Sequence, residues 1–195
     1  MTSAIEIKAL TSDEFWDRYG DQEEFADGLR LHYELINGEL RDKSMPIDVH
    51  GEIQSRLLFF LQGYVFAHPI GKSYGEVHFR VSALNFFVPD AAFVSREKLQ
   101  QITQPGFMPF APDLAVEIIS PSNTVTEMDR KIRSYREAGS VQVWIINPEL
   151  QQVSVYYADH TAHTFEIGET LLGGDLLPGL SIPVADLFPV DQATV

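Results

Sequence analysis

From Asp113 to Ile146 the chain spells a strand, a capped helix and a second strand, and no other stretch restricts the fold as strongly. Asp113–Ile119 is nearly continuous in apolar residues rather than alternating, the pattern of a strand covered on both faces. Ser120–Pro121–Ser122–Asn123 makes a turn. Thr124-Val-Thr-Glu127 is a capping box, in which hydroxyl and carboxylate satisfy free backbone donors. The helix it opens sets Met128, Ile132 and Tyr135 on one face and stops at Gly139, a favoured terminator. Val141–Ile146 again reads as a buried strand. Two strands joined this way pair in parallel through a right-handed crossover.

The flanks are antiparallel in character. Thr11–Ser12–Asp13–Glu14 starts a helix running to about Tyr19, with acids at its positive end. Leu31–Ile36 and Glu39–Arg41 flank Asn37–Gly38, a strong hairpin signal. Apolar residues at Ile53, Leu57, Leu58, Leu61, Tyr64 and Val65 form one stripe, predicting a helix over 48–67 that ends at His68–Pro69 and Gly71. Strands are expected at Glu76–Val81, Asn85–Val88 and Ala91–Ser95, then a short helix over 95–101 and a Pro/Gly-rich loop over 104–112. Val153–Tyr157 and Thr164–Ile167 read as alternating strands, and the tail, Leu176–Leu187, as a segment packed over the sheet. One domain over residues 1–195 is expected.

Two acids stand where buried strands end. Asp90 follows Pro89 at the head of Ala91–Val94, and Glu117 interrupts Leu114–Ile119. A carboxylate in such a run must be protonated, paired or bound to a cation. With Lys131 on the following helix, the pair suggests a divalent-metal site for phosphodiester cleavage. Structural alternatives stand beside it. Asp90 could end a turn, Glu117 and Lys131 could form a structural ion pair, and Lys131 could lie on a solvated face.

Net charge is −14, and the acids Asp13, Glu14, Asp17, Asp21, Glu23, Glu24 and Asp27 crowd one segment read as a solvated helix face. That balance runs against a broad nucleic-acid footprint; only Arg130, Lys131, Arg133 and Arg136 make a locally basic stretch. Without cysteine, thiolate metal sites and disulfides are excluded. No apolar stretch is long enough to span a bilayer, and Met1–Thr11 lacks a signal-peptide pattern, so no membrane partner and a cytoplasmic location are expected.

Taken in order, Tyr33–Leu40 (YELINGEL), His50, Pro89-Asp90, Pro112-Asp113-Leu114 through Ser122, Asp129-Arg130-Lys131, Tyr135, Ala138-Gly139, Val143-Trp144-Ile145 and Pro148 form a recognisable series. From about Phe15 to Phe188 the chain resembles the Uma-two family of the PD-(D/E)XK nuclease superfamily. The resemblance implies a restriction-endonuclease-like αβββαβ core. With the hairpin before it and a β-meander after it, this is a mixed α/β (α+β) sheet fold. It also implies a DNA endonuclease holding a divalent cation, with Asp90 as first acid and Glu117 as second. The superfamily lysine usually lies two residues after the second acid, but Ile119 stands there, and Lys131 matches the lysine used instead.

For phosphodiester cleavage, Mg²⁺ or Mn²⁺ is the expected ion, held by Asp90, Glu117 and the Ile118 backbone carbonyl. Lys131 would orient water and offset developing charge. Glu34 and Glu39 on the hairpin, and His50 and Glu52 at the start of the 48–67 helix, are accessory candidates. The alternatives are surface or structural acids and a packing histidine, and alternation turns Glu34 inward only if its strand bends. His32, His68, His78, His160 and His163 lack metal-ligand spacing, and Trp144 reads as core. Nucleic acid is the expected partner and a homodimer the expected assembly, since a two-fold pair suits cutting both strands. The competing function is a nuclease-fold binding or assembly module without turnover; self-association through a sheet edge is a third possibility.

Overall fold

The computed structural model describes residues 9–20, 32–43, 48–103 and 106–189. Part of the acidic segment (Asp21, Glu23, Glu24, Asp27), Leu31 at the start of the hairpin, and Gln104 and Pro105 in the loop lie outside them, as do residues 1–8. The first helix, α1 (Ser12–Phe15), has the Thr11–Glu14 capping box and runs on as a π-helical turn, Trp16–Gly20. A hairpin follows, β1 (His32–Ile36) and β2 (Glu39–Lys43), paired in the register Ile36↔Glu39 and Glu34↔Arg41. Positive φ at Asn37 (52°) and Gly38 (78°) gives the connection the twist that two-residue hairpins need. Helix α2 (Asp48–Ala67) buries His50, Ile53, Leu57, Leu61 and Tyr64.

The remaining elements are β3 (Gly71–Tyr74), β4 (Phe79–Ser82), β5 (Asn85–Phe87), β6 (Ala91–Ser95), α3 (Arg96–Leu99), β7 (Leu114–Ile118), α4 (Val125–Glu137), β8 (Gln142–Asn147), β9 (Gln152–Tyr157), β10 (Ala162–Phe165), β11 (Thr170–Leu172), β12 (Ser181–Pro183) and α5 (Val184–Leu187). The main sheet has the order β10-β9-β8-β7-β6-β3, and β7 pairs with β8 in parallel as the crossover requires. Thus α2-β3-β6-β7-α4-β8 is the expected αβββαβ series.

The three strands of the core are β3, β6 and β7, and the 79–87 hairpin joins β1 and β2 in a second sheet, β2-β1-β5-β4. The strand expectations are corrected in detail. Strand β3 is invisible to an alternation rule because Gly71-Lys-Ser-Tyr offers only one large apolar side chain. Gly71 is required there: a Cβ would run into the Val94 carbonyl and the Phe93 ring. Glu76–His78 is not strand, and Glu76 has φ of 52°, outside the extended region. Finally, β10 lies two residues earlier than Thr164–Ile167, and β12 within the tail pairs with β11, just before it, as a two-stranded ribbon.

The main sheet is covered on both sides, which accounts for its continuous apolar runs. Leu114, Val116 and Ile118 face α2 and the tail, in a cluster with Trp144, Leu180, Ile182 and Leu187. Ala115 faces the other way, with Val143, Ile145, the α4 residues Met128, Ile132 and Tyr135, and Phe79 and Phe87 of the second sheet. By the strand's period of two, Glu117 shares the α4 side with Ala115. Among the described residues no helix is long and apolar enough to cross a membrane.

Candidate active site

The cleft opens where β7 ends. Strands β6 and β7 pair as Ala91↔Val116 and Ala92↔Ala115, so one step further along that register sets Asp90 opposite Glu117. The backbone around Asp90 leaves the ladder because Pro89 has no N–H to offer, and side chains satisfy it instead. The Val88 N–H donates to Glu34 Oε1 (2.8 Å), the Val88 carbonyl accepts from Lys43 Nζ (2.5 Å), and the Asp90 carbonyl accepts from Gln54 Nε2 (2.9 Å).

Asp90 is 1% exposed. Its Oδ2 accepts from the Ile118 N–H at 2.6 Å and lies 3.3 Å from His50 Nε2. Its Oδ1 lies 2.8 Å from Lys43 Nζ, which pairs with it as a charged donor. Burial pushes the Asp90 carboxyl up, but His50 and the Lys43 charge outweigh it and hold the group well below the usual carboxylate range.

Glu117 and Glu34 share Lys131. The α4 stripe Met128, Lys131, Ile132, Tyr135 is buried against the sheet, which takes the lysine amine onto the Glu117 side. Lys131 Nζ lies 3.1 Å from Glu117 Oε2 and 2.8 Å from Glu34 Oε2. Tyr135 Oη, one helical turn on, donates to Glu117 Oε1 at 2.8 Å. Burial pushes Glu117 up to about 7; Lys131 opposes that rise, while the charges of Glu34 and Asp90 add to it. Burial works to lower the Lys131 ammonium, but Glu117 and Glu34 raise it, so it stays charged. Tyr135 is driven well above its usual range, first by burial and then by Glu117, so it remains a donor.

Asp90, Glu117, Lys131, Glu34 and His50 therefore meet in one cleft of about 540 Å³, which Ile118 also lines. Glu34 reaches it without any bend: Leu35 is buried on the opposite face with Phe15 and Phe86, so β1 is covered on both sides. Two candidates stand elsewhere. Glu39 is on the exposed edge of β2, paired with Arg41 at 2.9 Å, and Glu52 pairs with Arg56 at 2.7 Å along the outer face of α2. Both have water and a flexible cation within reach, so nothing draws them inward.

Two further residues hold the charges of the site. Tyr135, part of the apolar stripe and of the family series in the sequence, is buried behind the cleft one turn beyond Lys131. Lys43 has no role in the sequence reading, yet the Asn37–Gly38 hairpin register sets Glu34 across from Arg41, and Lys43 lies two residues on, on the same face. That alternation was the available signal.

The donors suit a hard cation. Asp90 Oδ1 is a buried carboxylate oxygen already occupied by a cation, the Lys43 ammonium, and Glu117 supplies a second carboxylate on the adjacent strand. Among the described residues no group of three or more His, Cys, Asp or Glu side chains forms a protein-only cage. Two carboxylates with the balance made up by water and phosphate oxygens is the usual arrangement for Mg²⁺.

Comparison with known proteins places these residues in context. No match was found among curated protein sequences. A crystal structure described as "a putative nuclease belonging to DUF820 from Anabaena variabilis ATCC 29413" is similar with a TM-score of 0.76 and 24% identity, covering 92% of this chain and 97% of that one. The likeness is one of fold. The Uma2 family profile, described as "Putative restriction endonuclease", matches residues 16–185, which include every residue of the cleft. The chain belongs to the Uma2 family of restriction-endonuclease-like proteins.

Proposed function

We propose that the protein is a divalent-metal-dependent endonuclease that hydrolyses phosphodiester bonds in DNA, with Asp90, Glu117 and Lys131 as its catalytic residues. One observation carries the reading: three ionisable side chains from a strand head, a strand end and a helix lie buried together in one open cleft. Burying charge is costly, and a purely structural core would not need it at the mouth of a cleft.

Asp90 and Glu117 would hold Mg²⁺ or Mn²⁺, with the Ile118 carbonyl as a further candidate ligand. Such an ion supplies charge neutralisation at phosphorus and a more acidic water. The chain's own residues do the rest. His50 and the Ile118 N–H fix the Asp90 carboxylate through Oδ2. Tyr135 fixes Glu117 through Oε1. Glu34 anchors Lys131 from the side opposite Glu117, so the ammonium is held in place to orient water and offset negative charge on the phosphate. The lysine comes from α4 because Ile119, at the usual position, is part of the apolar packing. The same reading takes residues 1–195 as one domain working in the cytoplasm as a homodimer.

A second reading, a binding or assembly module without turnover, is favoured by the 28 acids against 14 lysines and arginines and by the lysine already beside each of Asp90, Glu34 and Glu117. Supercoiled plasmid incubated with Mg²⁺ or Mn²⁺ separates the two. The endonuclease reading expects nicking that falls about a hundredfold or more in Lys131→Met, together with a metal-induced rise in melting temperature that Asp90→Asn abolishes. Intact plasmid under both metals would favour the second.

A further inference from the structure

The two oxygens of Asp90 do different work. Oδ2 is committed to the fold, accepting from the Ile118 N–H at 2.6 Å beside His50 Nε2 at 3.3 Å. Oδ1 faces the cleft's second ammonium, Lys43 Nζ, 2.8 Å away. Lys43 is therefore not needed to orient the carboxylate.

The two lysines of the cleft are also held differently. Lys131 is 6% exposed and spans two carboxylates, whereas the Lys43 side chain is 14% exposed and holds one carboxylate oxygen and the Val88 carbonyl. Lys43 ends β2, an edge strand of the second sheet that among the described residues pairs with β1 alone. Its four-carbon stem can withdraw while the strand stays paired. A divalent ion and an ammonium at one buried oxygen compete for the same negative charge, and their mutual repulsion grows with proximity and low dielectric.

We propose that Lys43 is a built-in occupant of the ion position at Asp90, a displaceable ammonium that must leave Oδ1 before Mg²⁺ or Mn²⁺ can bind there. The inference rests on the metal-dependent reading above. Lys43 keeps the buried Asp90 charge compensated in the metal-free protein, and its displacement sets part of the free energy of metal binding. Its effect is on metal affinity.

Calorimetric titration of the full chain with Mn²⁺ tests this in wild type, Lys43→Gln, Lys43→Arg and Asp90→Asn. Glutamine keeps a donor for the Val88 carbonyl but removes the charge. Lys43→Gln should bind Mn²⁺ at least about tenfold more tightly than wild type, while Lys43→Arg should not gain. Equal affinity in wild type and Lys43→Gln, both lost with Asp90→Asn, overturns the role of Lys43 and leaves the metal centre standing. Affinity untouched by Asp90→Asn, or no Mn²⁺ binding in any variant, overturns the metal centre itself. Trace acetylation of wild type, read by mass spectrometry, requires no variant to fold. Saturating Mn²⁺ should raise Lys43 labelling several-fold and leave Lys131 unchanged; no rise at Lys43 overturns the proposal.

Discussion

Lys131 Nζ lies 3.1 Å from Glu117 Oε2 although the two residues stand fourteen apart in the chain. Strand β7 turns Glu117 to the α4 side, and the buried stripe of α4 carries Lys131 down onto it. Glu34 completes the contact from the second sheet, so one ammonium joins three elements of the fold.

Removing that ammonium should cost more than the pair is worth. Lys131→Met leaves Glu34 and Glu117 buried without their cation, and the expected loss is about 3–5 kcal/mol. Adding Glu117→Gln should recover part of it. Urea denaturation of the two single variants and the double variant gives the coupling directly.

Stability should depend on pH through Glu117. Its folded pKa is raised to about 7 from an ordinary 4.5, so over that window the folded protein retains a proton that the unfolded chain has lost. Stability must then fall as pH rises from about 4.5 to 7, by on the order of 3 kcal/mol from this group. Asp90 acts oppositely: its folded pKa is depressed, so its contribution is present above the ordinary value of 3.8 and is lost on acidification. Denaturation across pH 4–8 should show the Glu117 decline in wild type and lack it in Glu117→Gln. Because metal competes with that proton, Mn²⁺ affinity should climb with pH up to about 7 and then level off.

Tyr135→Phe tests what holds Glu117 in place. It removes the 2.8 Å hydrogen bond to Oε1 and leaves that buried oxygen unsatisfied. The expected cost is about 1–3 kcal/mol by urea denaturation.

Glu39→Gln and Glu52→Gln are the contrasting cases. Each loses an exposed ion pair away from the cleft. Melting should report a change within about 0.5 kcal/mol, with Mn²⁺ affinity as in wild type.

Strand β3 gives a prediction for the fold. Gly71→Ala would force a Cβ into the Val94 carbonyl and the Phe93 ring. The relief must come from backbone shifts in paired strands, so thermal denaturation should show a loss of about 1–3 kcal/mol.

Much of this architecture was legible along the chain. The capping box at Thr124, the stop at Gly139, the Asn37–Gly38 turn and the α2 stripe are local signals, and each produced its element. Strand β3 was not legible because its pairing with β6 and a close backbone contact, rather than apolar residues, hold it at the edge of the sheet. Asp90, Glu117 and Lys131 could be nominated because acids are conspicuous in apolar runs and because their order resembled a family. Glu39 and Glu52 were nominated by proximity in sequence to true members of the cleft, a criterion that says nothing about which way a side chain faces.

Local chemistry in the sequence determined where helices start, where turns fall, which strands are covered on both faces, and that some charges would need partners. Which partner each charge received was decided only when the second sheet closed over α4. That step set Glu34 against Lys131 and Lys43 against Asp90 across 97 and 47 residues of chain. The physical reason is that capping hydrogen bonds, turn preferences and apolar stripes act between residues near in sequence, whereas the pairing of buried charges follows from distances that exist only in the packed molecule.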